Sequence, residues 1–194
     1  MIRPRLRFKT ERYVVDDYVE GDQAFVQKWL ADERVARGLA RPPVMIDAAE
    51  ANELALSHDA RTSVMLMIRP KQDGNPIGLW MVETRQATDS IWLSVMIGEA
   101  GGLRQGALLE TAVPLFEWIG SLPRFQRIEA SVAEDNAVMI AFLDRWMTRR
   151  NEGHELSSGS SPSALNYVVD RSDWPSALTR ARNALAAGSI TVAR

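Results

Sequence analysis

Apolar positions change their spacing several times along the chain, and each change predicts an element. Tyr13, Val14 and Val15 form an apolar run within residues 12–18, which predicts a strand. Gly21-Asp22 ends it, with Asp22 as the expected N-cap of a helix. Phe25, Val26, Trp29 and Leu30 then recur at helical spacing. Residues 32–39 predict one or two further helical turns before Arg41-Pro42-Pro43 breaks the pattern. Asp47 with Glu50 three positions on predicts a capping box and a helix to about Ser57. From Thr62 the period changes to that of strands. Residues 63–68, 77–84 and 91–97 read as three strands joined by turns at 71–75 and 86–90, an antiparallel meander. A glycine-rich stretch from Gly98 to Gly106 leads into a helix over about 103–121, with Leu108, Ala112, Leu115 and Ile119 on one face. Residues 126–132 alternate poorly, as a strand buried on both sides would. Residues 136–145 predict a helix with Met139, Phe142, Leu143 and Trp146 inward, 153–159 a strand, 157–162 a loop, and 165–170 a closing strand. The last segment, 172–194, reads as a surface helix with a frayed end, stopped near Gly188. Its Arg180, Arg182 and Arg194 face no acid after Asp173, so it could contact a second copy of the chain, and a homodimer stays open.

Composition narrows the chemistry. The chain has 194 residues, 46% hydrophobic and 25% charged, which suits one globular domain with its own core. Cysteine is absent, so disulfides, thiolate metal sites and a cysteine nucleophile are excluded together. The two histidines, His58 and His154, are far apart in sequence and have no visible partner, so no metal site is expected. The net charge of −2 supplies no field for nucleic acid. Arg3, Arg5, Arg7 and Lys9 read as a solvated arm or edge strand before a phosphate contact, and a nucleic-acid module built on this arm and the last helix is the weakest of the open readings. No apolar stretch approaches a membrane span and no targeting signal is evident, so a soluble cytoplasmic protein is the expectation.

The informative feature is strand, glycine loop, helix: Val95-Met96-Ile97-Gly98-Glu99-Ala100-Gly101-Gly102-Leu103-Arg104-Gln105-Gly106-Ala107-Leu108. A helix start offers unpaired N–H groups and the positive end of a dipole, and glycine lets the backbone approach an anion. A simple turn is the competing reading. A P-loop is excluded because Gly106 is followed by Ala107-Leu108, not Lys-Ser or Lys-Thr. A dinucleotide fingerprint is excluded by the glycine spacing and by the preceding meander.

With this loop in place, the chain resembles the Gcn5-related N-acetyltransferases (GNAT), in the branch of RimJ/RimL-type ribosomal-protein N-terminal acetyltransferases. The residues that carry the resemblance span roughly 9–174. They are Lys9 to Val15, Glu20-Gly21-Asp22, Ile77-Gly78, Ile97-Gly98-Glu99 through Gly106 and Glu110, Arg127 to Ala130, Asp135-Asn136, Glu152-Gly153, and Tyr167 through Trp174. The resemblance implies an α+β GNAT fold: a mixed, mostly antiparallel sheet flanked by helices. The domain would cover 1–174, with a basic arm at 1–8 and an extra C-terminal helix or tail at 175–194. It also implies acetyl-CoA as co-substrate and an amine acceptor. The pyrophosphate would lie on the backbone of Arg104, Gln105, Gly106, Ala107 and Leu108. The pantetheine arm would pair with Met96, Ile97 and Gly98, and Asn136 would stand near the thioester. The chain departs from the family pattern at Leu103, at Leu108, at Met139, at Leu143 where a tyrosine often protonates the leaving thiolate, and at Met147.

Direct attack by a neutral amine needs one proton acceptor. Glu83, Asp89 and Glu99 are the candidates, each with a solvated surface carboxylate as the competing reading. Ser94 is a further candidate, against a satisfied strand hydroxyl. The tryptophans read as core, with Trp80 and Trp92 as alternative walls of an acceptor groove. The departures leave a second function class open: a GNAT-fold binding or assembly protein without turnover.

Overall fold

The computed structural model describes residues 7–38, 43–57, 62–85, 89–99, 101, 106–122, 125–150 and 164–187. Eight strands form one sheet: β1 (Arg7–Lys9), β2 (Tyr13–Asp17), β3 (Ser63–Pro70), β4 (Gly78–Arg85), β5 (Ser90–Ile97), β6 (Arg127–Ala133), β7 (Thr148–Arg150) and β8 (Ala164–Asp170), in the order β1-β2-β3-β4-β5-β6-β8-β7. Every neighbouring pair is antiparallel except β5 with β6. The helices are α1 (Gln23–Ala31), α2 (Glu33–Gly38), α3 (Ala48–Ser57), α4 (Ala107–Ser121), α5 (Ala137–Leu143) and α6 (Trp174–Ala186). This is the expected α+β architecture, with β3, β4 and β5 as the meander.

The sheet separates two apolar layers. Leu66, Trp80, Leu93 and Ile128 point to the core face, where α4 and α6 cover them with Leu115, Phe116, Ile119, Trp174 and Ala177. Leu108, Ala112, Leu115 and Ile119 are all buried, as their spacing requires. On the outer face a smaller layer joins Met65, Met67, Leu79 and Met96 to Val26, Trp29, Leu30 and Val35. β3 is buried on both sides and therefore shows no alternation. The Asp47–Glu50 capping box is present in both directions: Asp47 N donates to Glu50 Oε2 and Glu50 N to Asp47 Oδ1, each at 2.8 Å.

Several local expectations are overturned. Asp22 does not cap α1 with its side chain. It is buried and takes the Arg69 fork at 3.0 and 2.6 Å, while Arg69 Nε donates to Asp16 Oδ1 at 2.8 Å. A buried carboxylate needs a cation more than a helix start needs an acceptor. β6 is not buried on both sides. Ile128, Ala130 and Val132 enter the core, whereas Glu129 on the outer face lies 3.8 Å from Arg85. β7, Thr-Arg-Arg, has no apolar signal and exists only through pairing with β8. The described helix α4 starts at Ala107, directly after Gly106 at φ +73°, while residues 102–105, where its first turn is expected, lie outside the described residues. α6 is a surface helix only on its outer side, since Trp174, Ala177 and Ala181 are buried against α4. The strand and loop expected over 153–162, and both histidines, lie outside the described residues.

Two contacts hold the elements in register. Glu110 of α4 is buried and reaches the β1–β2 turn, accepting from Thr10 Oγ1, from Arg12 N at 2.7 Å and from Arg12 Nε at 2.7 Å. Burial opposes its charge, but these donors outweigh it and hold the carboxyl below the usual glutamate range. At the end of β5, Gly98 N and Glu99 N both donate to Ile77 O, at 2.9 and 3.0 Å, which forms a bulge. The Trp29 indole fills the space above Gly98, so a Cβ there would lie 2.2 Å from its ring atoms.

Glu110→Gln is expected to cost about 1–3 kcal/mol, read by urea unfolding at neutral pH. The lowered folded-state pKa contributes stability above the ordinary glutamate range, and that stability is lost as the pH falls through the folded value. The wild type should therefore show an acid-side loss that the variant lacks, and parallel pH profiles would contradict this. Gly98→Ala is expected to cost about 1–3 kcal/mol by overpacking against Trp29. An unchanged denaturant midpoint would show that the indole moves freely.

Candidate active site

The parallel pair between β5 and β6 is short. Ser90, Ile91 and Trp92 register with Arg127, Ile128 and Glu129, and no further pairs follow. β6 continues to Ala133 along β8 while β5 runs to Ile97 along β4, so the two strand ends part. A cavity of about 230 Å³ lies in the gap. Val95, Met96 and Ile97 form one wall, and Asp135, Asn136, Val138 and Met139 form the other.

α2 bridges this gap. Asp32 Oδ1 accepts from Arg34 N at 2.7 Å and starts the helix. Arg34 then reaches the β5 wall: Nη1 donates to Ile97 O at 3.3 Å and Nη2 to Gly98 O. At the other end Gly38 O accepts from Asn136 Nδ2 at 3.2 Å. The same Asn136 caps α5, its Oδ1 accepting from Met139 N at 3.2 Å. Arg34, Arg37 and Gly38 all line the cavity.

Of the residues proposed from sequence to hold a cofactor, Met96, Ile97 and Asn136 line the gap and Gly98 adjoins it. Gly106 precedes α4 with no side-chain cap on the helix start, and Ala107 and Leu108 are buried in its first turn. Arg104 and Gln105 lie outside the described residues, as does Leu103. Leu143 is buried in the core, so it offers the site no polar group.

The candidate proton acceptors are dispersed. Glu99 Oε1 accepts from Lys28 Nζ at 2.7 Å and from Trp29 Nε1 at 3.0 Å. These two hydrogen bonds hold its carboxyl below the usual range, which commits it to the bulge. Asp89 sits at φ +47° in the turn before β5, at the end of the strand away from Gly98. Glu83 and Ser94 share the outer face of the sheet, Glu83 opposite Trp92 and Ser94 opposite Met81. Ser94 Oγ accepts from Trp92 Nε1 at 3.1 Å, and the Arg85 guanidinium lies 4.0 Å over the Trp92 ring. Trp80 is on the opposite face, donating to Thr111 Oγ1 at 3.0 Å, so Trp80 and Trp92 do not flank one groove. Arg34 and Arg37 escaped the sequence reading because nothing local connects a two-turn helix to a strand end some sixty residues later in the chain. Among the described residues, no group of three His, Asp or Glu side chains could hold a metal, and no helix is long and apolar enough to cross a membrane.

No protein-family model matches the chain, and no curated protein matches it. Solved structures do. A GCN5-related N-acetyltransferase from Brucella melitensis aligns over 99% of this chain and 90% of its own, at 16% identity and a TM-score of 0.71. The acetyltransferase from Agrobacterium tumefaciens aligns over 87% and 96%, at 21% identity and a TM-score of 0.64. The spermidine N-acetyltransferase from Vibrio cholerae, solved with CoA and spermine, aligns over 84% and 98%, at 15% identity and a TM-score of 0.65. These likenesses run over 84–99% of the chain, so the chain has the fold of the Gcn5-related N-acetyltransferases.

Proposed function

We propose that this chain transfers an acetyl group from acetyl-CoA to a primary amine, on a protein N-terminus or a small molecule. The observation that carries the reading is the parting of β5 from β6 after Trp92, which opens an apolar-walled gap beside strand backbone that β6 does not pair. A linear arm with amide groups suits such a gap, because it can take the place of the missing strand. Its acyl end would lie toward Asn136, whose side chain fixes the far wall through Gly38 and Met139. The pyrophosphate would rest at the head of α4, on the backbone of Arg104 to Leu108, where the helix dipole favours negative charge. Glycine at 106 supports this, since the φ of +73° there turns the chain into the helix without a side chain in the way.

The acceptor approaches from the outer face and must be neutral to attack the thioester carbonyl. Strand-end N–H groups would stabilise the developing oxyanion. Glu99 is tied to Lys28 and Trp29, so we assign proton removal to the outer-face pair Ser94 and Glu83 through water. Glu83 stands opposite Trp92, four residues before Met96, which at ~3.3 Å per residue is ~13 Å along the strand. Ser94 lies two residues before Met96. Within the fold, we assign the chain to the RimJ/RimL-type branch on the resemblance of its residue runs Lys9 to Val15 and Tyr167 to Trp174. A donor-binding scaffold without turnover is the second reading. It is favoured by the sequestered Glu99 and by buried Leu143, which offers no proton to a leaving thiolate.

Acetyl-CoA should raise the melting temperature, with stabilisation of about 2.7 kcal/mol at a hundredfold excess over Kd. No shift at millimolar acetyl-CoA would defeat both readings, and a shift without CoA release on a broad amine panel would favour the scaffold. Gly106→Arg should abolish the shift. Gly106→Ala carries similar backbone strain, of roughly 1–2 kcal/mol, without the bulk and should retain it. Equal affinity in the two variants would place the pyrophosphate elsewhere.

A further inference from the structure

We infer that Arg34 is an exchangeable latch on the free edge of β5, which the acyl donor must displace, so that this side chain sets donor affinity. The inference rests on reading the β5–β6 gap as the donor channel.

Buried backbone groups that lose a strand partner must find another. Beyond Trp92, β5 has no pairing with β6, and at Ile97 and Gly98 the substitute is the Arg34 fork. A donor arm laid along Met96 to Gly98 needs those carbonyls for its amide N–H groups. It also needs the mouth of a cavity of about 230 Å³ that Arg34 itself lines. Fork and arm therefore compete for the same acceptors and the same space.

Three features make the fork exchangeable. The Arg34 side chain is 44% exposed, so water can take over its donors as it leaves. Asp32 lies 3.3 Å from the same guanidinium, and a released cation keeps its counter-charge on its own helix. α2 does not depend on the latch to stay in place. Val35 and Ala36 are buried, Val35 within the outer-face layer, and Gly38 O is held by Asn136. The motion is thus a side-chain swing under a fixed bridge, and it leaves the second wall of the gap undisturbed.

The test is acetyl-CoA binding to the full chain by titration calorimetry, with melting temperatures of free and bound protein. Arg34→Met keeps the apolar stem and removes the fork. Arg34→Lys keeps the charge but cannot span both carbonyls. Arg34→Met should tighten Kd by about fivefold or more, as expected when a competing closed state is removed, and Arg34→Lys should fall between it and wild type. The free variants should melt lower, and acetyl-CoA should raise their melting temperature further than it raises the wild type's. Binding that is unchanged or weaker in folded variants overturns the latch and leaves the donor channel standing. No binding by any of the three proteins overturns the donor channel and the latch with it. Failure of both variants to fold would make the fork a structural strut and also overturns the latch.

Discussion

The structure turns on a strand pair that stops early. β5 and β6 run parallel for three registered residues and then separate, whereas the antiparallel β4–β5 ladder continues to its end. Parallel pairing here joins strands that belong to different units, the meander on one side and the β6–β8 pair on the other. Each strand keeps its longer antiparallel partner and gives up the other. The resulting gap leaves backbone to be satisfied, and the neighbouring elements answer that need. Arg34 takes Ile97 and Gly98, and Asn136 ties α5 to the end of α2.

The bulge at Gly98 shows how packing and site are one construction. Two successive amides share Ile77 O, which turns the strand end away from the regular ladder. Trp29 presses on the bulge where a side chain would otherwise stand, and its indole N–H and Lys28 together hold Glu99. The small outer-face layer therefore does more than shield the sheet. It aims the backbone from which the loop to α4 departs. On the opposite face, Glu110 ties the first turn of α4 to the β1–β2 turn, so the helix is anchored from the far edge of the sheet.

Much of the fold was legible in the sequence. Helical spacing identified the α4 stripe, the capping box marked α3, and the change of period at Thr62 announced the meander. These signals are local: each depends on residues within one or two turns or along one strand. The expectations for Asp22, β7 and the candidate bases failed through the influence of distant groups. Asp22 reads as a cap until Arg69, on β3, claims its carboxylate. β7 has no apolar pattern because its only reason to be a strand is β8. The candidate bases looked equivalent in sequence, and only their neighbours separate Glu99, held by two donors, from Glu83 on the outer face.

By itself, the sequence determined the element order, the α4 face, the absence of thiol chemistry and the position of the glycine loop, because spacing and composition act locally. Tertiary structure decided where β5 and β6 part, that α2 bridges the gap, and that Arg34 reaches the end of β5. Those outcomes follow from which backbone groups are left without a partner once the sheet is assembled, a property that no single segment of the chain contains.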